Sequence, residues 1–232
     1  MPYRRLPKTD AARLKALKTL LDNNEIYTVR NRFIDWQTLN KAQPAYDRLL
    51  TACEQYRLTM AAQIRNRNKM ERSMQLAQVY VSHFIRVLLM SVERGEIKKQ
   101  NLALYGLSVE EPGVPNMVSI KALTEWGRKI VEGETARLKK GGRPIYNPSI
   151  GMVNTHYDIF LTASNQQQEL QNKTKRAAAD VDRLRPEVDE ILLDLWNQIE
   201  KHFENEPPEV RFKKCREFGV VYYYRRHEPH DY

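Results

Sequence analysis

Residues 46–88 read YDRLLTACEQYRLTMAAQIRNRNKMERSMQLAQVYVSHFIRVL, and residues 153–195 read VNTHYDIFLTASNQQQELQNKTKRAAADVDRLRPEVDEILLDL. In the first, Tyr46, Leu49, Cys53, Tyr56, Met60, Met70, Met74, Ala77, Val81, Phe84 and Leu88 recur at alternating steps of three and four, with Gln63 and Arg67 as interruptions. The second repeats the spacing from Val153, His156 and Phe160 through Ala163, Gln167, Leu170, Thr174, Ala177, Val181, Leu184, Val188 and Ile191 to Leu195. A seam recurring every 3.5 residues keeps one helix face against a partner, so the two stretches predict long helices packed lengthwise.

Working outward, residues 1–8 are expected to be extended, because Pro2 and Pro7 bias their predecessors away from helix. Thr9 is a fair N-cap for a short helix presenting Leu14, Leu17 and Leu21. The first long helix should begin near Asp35 or Trp36 and stop at Gly95, with Pro44 either kinking it or marking its true first turn. Residues 96–118, with Pro112, Gly113 and Pro115, read as a connector carrying one short turn. Ser119 is suited to cap a helix over 120–140 whose Leu123, Trp126 and Ile130 face inward. Gly127 and Gly133 lower its propensity by about 1 kcal/mol each, which a closely approaching neighbour would explain. Asn147 then Pro148 is the pattern of a capping residue followed by proline at the first helical position. The second long helix should run to about Phe203 and bend near Asp182, where Pro186 removes a hydrogen bond.

The expected fold class is all-α: a long antiparallel helical hairpin with two shorter helices alongside, a three- to four-helix, coiled-coil-like bundle over 1–206, then a tail over 207–232. With the helix ends abutting, residues whose numbers sum to about 241 would lie level, setting Trp196 beside Tyr46. Both seams then turn polar together near their middles, which sets register or makes a polar waist. In the tail, 210–218 predicts a short helix and 220–224 an extended β-branched and aromatic segment. Its one available extended partner is 3–6, either in the same chain or in a second subunit.

The opening Met1-Pro2-Tyr3-Arg4-Arg5-Leu6-Pro7-Lys8-Thr9-Asp10 resembles the start of an uncharacterised family of bacterial helical proteins. Tyr80-Val81-Ser82-His83-Phe84, Arg94-Gly95-Glu96-Ile97, Tyr105-Gly106-Leu107, Gly133-Glu134, Asn147-Pro148-Ser149, Asp194-Leu195-Trp196 and Gly219-Val220-Val221-Tyr222 look similar too. Spread over almost the whole chain, the resemblance implies one intact helical unit; it brings no activity, cofactor or catalytic residue with it.

The net charge of +9 is unevenly placed: +8 over 1–75, +4 over 76–148, −5 over 149–208 and +2 over 209–232. An acidic second long helix beside basic neighbours makes much of this charge complementary within the fold. No signal-like apolar segment opens the chain and its longest apolar run, 87–90, is far short of a membrane span, so a cytoplasmic protein without a membrane partner is expected. Two cysteines, Cys53 and Cys215, offer neither a disulfide framework nor zinc spacing.

Catalytic signals are missing. There is no phosphate-binding glycine loop, no His-Glu-x-x-His pair and no Glu-x-x-His of the di-metal bundles, so an enzyme is not favoured and neither cofactor nor metal is expected. His83 and His156 should sit level, with Tyr80, Arg86, Tyr157 and Asp158 nearby; core-edge histidines or a small-ligand or metal site both fit that placement. Arg65, Arg67, Lys69 and Arg72 follow one another over about two turns and are expected to point several ways, as solvated residues or nucleic-acid contacts. Arg137, Lys139, Lys140 and Arg143 surround a helix C-terminus, where cations favour the helix dipole. The leading expectation is therefore a non-catalytic scaffold or protein-interaction module, a homodimer or a binder of another protein. It calls for an exposed apolar stripe or a second chain completing the bundle. Nucleic-acid binding through the basic excess is the alternative, and a ligand site at His83 and His156 the next.

Overall fold

The computed structural model describes residues 2–27 and 33–226, an all-helical chain with one two-stranded ribbon. Its elements are β1 (Tyr3–Arg4), α1 (Asp10–Leu21), α2 (Trp36–Glu93), α3 (Ile120–Lys139), α4 (Ile150–His202), α5 (Pro208–Glu217) and β2 (Tyr222–Tyr223), with 3-10 turns at Asn24–Tyr27 and Lys99–Tyr105. The chain forms two compact units, Met1–Met60 with Lys173–Tyr232, and Ala61–Asn172; α2 and α4 contribute to both.

In the first unit α1 starts as its sequence dictates, Thr9 Oγ1 accepting from the Ala12 amide. Its Leu17 and Leu20 bury against Leu39, Ala42 and Leu49 of α2 and Leu192, Leu195, Trp196 and Ile199 of α4. Each such burial is worth about 1.5–3 kcal/mol. Asp35 caps α2 through the amides of Gln37 and Thr38, and the helix runs unbroken through Pro44. Arg13, buried on α1, grips Asp189 of α4 with two parallel bonds of 2.7 and 2.8 Å. Beyond α5, which takes Pro208 as its first residue rather than starting at Val210, Gly219 turns the chain at φ +84°; a Cβ there would meet the Ala16 carbonyl at 2.8 Å. β2 then pairs antiparallel with β1, Tyr3 opposite Tyr223 and Arg4 opposite Tyr222, so the two extended segments meet within one chain.

In the second unit Ala77, Val81, Phe84, Ile85 and Leu88 of α2 pack with Val153, Tyr157, Phe160 and Ala163 of α4, beneath Leu102, Tyr105, Leu123 and Ile130. Gly95, at φ +73°, follows α2 as expected, and Ser119 Oγ caps α3 through the Ala122 amide. Both glycines of α3 answer to close neighbours. A Cβ on Gly127 would lie 2.4 Å from the Tyr157 ring, and one on Gly133 would lie 2.6 Å from the Tyr105 ring and 2.8 Å from the Leu104 carbonyl. The first neighbour belongs to α4, the second to the 3-10 turn.

Three expectations are corrected. α4 begins at Ile150, not Pro148: Ser149 is the cap, its Oγ accepting from the Met152 amide. Asn147 and Pro148, joined by a cis peptide, form the turn before it, where Tyr146 and Ser149 bridge. α4 is helical through Pro186. The antiparallel register is about two and a half turns away from that expected. Thr38 Oγ1 donates to Asp194 at 2.6 Å, so Trp196 is level with the first turn of α2 rather than with Tyr46. In the second unit the register lets buried Asn66 donate to Gln167 Oε1 at 2.9 Å and to the Ala163 carbonyl at 3.2 Å. An amide left unpaired there would cost about 1–3 kcal/mol. The polar position that matters is thus Asn66; Arg67 is exposed and Gln63 half-buried. Lastly, Tyr56 and Met60 are exposed rather than in the seam.

Candidate interaction surface

Within the second unit α2 has one buried apolar face and, opposite it, a line carrying three exposed apolar side chains. The buried seam runs through Met70, Ala77, Val81, Phe84 and Leu88. A second line, Arg65, Lys69, Arg72, Leu76, Val79, His83, Arg86, Met90 and Glu93, keeps the same alternation of three and four on the opposite face and is exposed throughout. Leu76 is 50% exposed, Val79 59% and Met90 50%. These three large apolar side chains sit at heptad spacing on the exposed face. The doubled apolar character also gives α2 an 18-residue window of mean hydropathy 1.2, enough by length and composition alone to cross a bilayer.

This arrangement revises the grouping of the basic residues. Arg65, Lys69 and Arg72 share the outer line, whereas Arg67 lies off it and holds Glu71 at 2.8 Å. The histidines separate as well. His156 stacks on Tyr80 with ring centroids 4.0 Å apart, while His83 and Arg86 are exposed on the outer line. Tyr157 turns under α3, its hydroxyl donating to the Thr124 carbonyl at 2.6 Å, and burial pushes its phenol above the ordinary value. Asp158 is exposed and accepts from Asn154 at 2.9 Å. The five residues His83, Arg86, His156, Tyr157 and Asp158 therefore face different surroundings, and among the described residues no three His, Cys, Asp or Glu side chains are placed to hold a metal. Cys53 and Cys215 are free thiols raised by burial, opposite in direction to an activated nucleophile.

Two features are hidden in the sequence. The outer line is hidden because the inner heptad accounts for the same stretch; its signal is the apolar run at Val79-Tyr80-Val81 and 87–90, which surrounds the helix instead of striping it. The other is a buried polar network. Glu134 is fully buried and accepts from the Tyr105 hydroxyl and from Arg137, whose Nη2 lies 2.7 Å from Oε1 and whose Nε lies 2.9 Å from Oε2. Arg137 is 4% exposed, so it is a core residue rather than a solvated dipole partner. Burial first, then the Glu134 contact, drives the Tyr105 phenol far above its ordinary value. Comparison with protein-family models, curated proteins and solved structures gave no match.

Proposed function

We propose that this protein is a non-catalytic helical interaction module that pairs with a second copy of itself through the outer line of α2. The observation that carries the reading is the exposed heptad Leu76, Val79, His83, Arg86, Met90, whose spacing is nearly symmetric about His83. Laid antiparallel on its own copy, it sets Leu76 beside Met90, Val79 beside the methylene stem of Arg86, and Arg72 beside Glu93. Arg72 and Glu93 have no ion-pair partner among the described residues, while the neighbouring Arg94 is already gripped by Glu96 at 2.7 Å. Lys69 would approach the C-terminal end of the partner's α2, where a cation is favoured. Such an isologous contact closes as a two-fold dimer. Coiled-coil pairing, a protein partner and a cytoplasmic setting all belong to this proposal.

Sedimentation velocity over a concentration series tests it. The wild-type chain should dimerise reversibly, and Val79→Glu should weaken the dimer at least about tenfold, about 1.4 kcal/mol, without altering the helical circular dichroism. A chain that stays monomeric at its solubility limit, or a dimer indifferent to Val79→Glu, overturns it. So does a monomer that binds RNA or DNA through Arg65, Lys69 and Arg72 with steep salt dependence, or one that floats with lipid vesicles.

A further inference from the structure

A cavity of about 650 Å³ opens in the second unit where the turn after α2 meets the turn after α3. Its walls carry four cations, Arg94, Lys98, Arg137 and Arg143, and a single acid, Glu96. Arg94 is neutralised by Glu96, its Nε and Nη2 lying 2.7 and 3.0 Å from the two carboxylate oxygens. Arg137 is neutralised by Glu134 behind the wall. Lys98 and Arg143 have no ion-pair partner among the described residues, leaving two positive charges uncompensated.

Arg137 is built into this wall. Its Nε and Nη2 bind Glu134, the Tyr105 hydroxyl and the Arg143 carbonyl, which holds the guanidinium in one orientation. Nη1 alone has no acceptor among the described residues, although the side chain is only 5% exposed. The sole buried side-chain polar atom without a partner among them is Trp196 Nε1, so Nη1 is reached by solvent, and the cavity is where Arg137 meets it. Gly142 leaves that edge open; a Cβ there would stand 2.7 Å from Nη1. Dipole capping does not account for this cluster, since Arg137 turns its donors to a carboxylate, a phenol and a loop carbonyl. Beside the cations lie Ile97, Ile145 and the ring of Tyr146, which is 80% exposed.

We infer that this cavity is a binding site for a small phosphate monoester. The phosphoryl dianion would take Arg137 Nη1, Lys98 and Arg143, and an apolar or aromatic remainder would lie on Ile97, Ile145 and Tyr146. Two free positive charges match the dianion, a fixed guanidinium edge supplies directed donors, and the volume suits a small organic molecule.

Isothermal titration of the full-length protein with phenyl phosphate, inorganic phosphate and phenol tests the inference. Phenyl phosphate should bind more tightly than inorganic phosphate, and phenol should not bind. Lys98→Ala and Arg143→Ala, both on the surface, should each weaken phenyl phosphate at least tenfold, whereas Tyr146→Ala should remove only its advantage over inorganic phosphate. Arg128→Ala, an exposed cation on α3 outside the cavity, should change nothing. Absence of phenyl phosphate binding at about 10 mM, retention of affinity in Lys98→Ala and Arg143→Ala, or an equal loss in Arg128→Ala would overturn it. Because Val79 does not line the cavity, Val79→Glu should bind phenyl phosphate normally, so this test and the dimer test fail separately.

Discussion

Glu134 and Arg137 form the most deeply buried ion pair among the described residues. The Glu134 carboxylate and the Nε and Nη2 edge of Arg137 bond each other out of water, so removing one partner strands the other. Glu134→Gln should lower stability by about 3–5 kcal/mol in urea unfolding, while replacing both by Leu and Met should recover most of it. Arg67→Ala, which breaks the exposed pair with Glu71, should cost under about 1 kcal/mol. Near-equal losses for Glu134→Gln and Arg67→Ala would contradict this assignment. Gly127 gives a second contrast. Alanine favours a helix by about 1 kcal/mol, yet here its methyl would strike the Tyr157 ring, an overpacking cost of about 1–3 kcal/mol. Gly127→Ala should destabilise the wild-type protein and become neutral or stabilising in a Tyr157→Ala background; a double-mutant cycle reads the difference.

At the scale of elements, α1 is fastened to α4 by apolar burial and by charges whose reach depends on pH. Asp10 accepts two bonds from Arg185 and one from Arg13. The Arg185 hydrogen bond is the main cause holding its carboxyl below the ordinary value; burial opposes it, and the charges of Arg185 and Arg13 add to it. A depressed carboxyl contributes stability that is complete above the unfolded value of about 3.9 and is lost as pH falls through the lower folded value. The gap in urea midpoint between wild type and Asp10→Asn should therefore be open at neutral pH and close in the acid range below the ordinary Asp value. A gap unchanged by acid would show that the bonds, not the charge, hold the helix. Caps and stops at this scale were legible: Thr9, Ser119 and Gly95 act where local chemistry places them. The start of α4 was not, because Asn147-Pro148 and Ser149 are both acceptable starts and the turn geometry selects the second.

For the molecule as a whole, the proposed dimer makes a prediction of charge pairing. Arg72→Glu should weaken association by setting like charges at Glu93, and adding Glu93→Arg should restore it. Sedimentation equilibrium of the single and double variants measures the recovery, and a double variant as weak as the single would exclude the antiparallel register. The inner seam, all-helical class and meeting of 3–6 with the tail could be read from the chain. The outer seam could not be separated from the inner one, since a helix apolar on two sides has no pattern that says which side is covered.

Local sequence determined what local forces decide: helix from heptad spacing, ends from hydroxyl caps and glycine, extended tail segments from β-branched and aromatic residues. Tertiary structure decided the register of α2 against α4, because that depends on which buried polar atoms find partners, as Asn66 does with Gln167. It likewise decided that Arg137 belongs to the core while Arg143 does not. A basic residue near a helix end reads the same in sequence whether it meets water or a buried carboxylate, and only the packing of Glu134 and Tyr105 around it makes the difference.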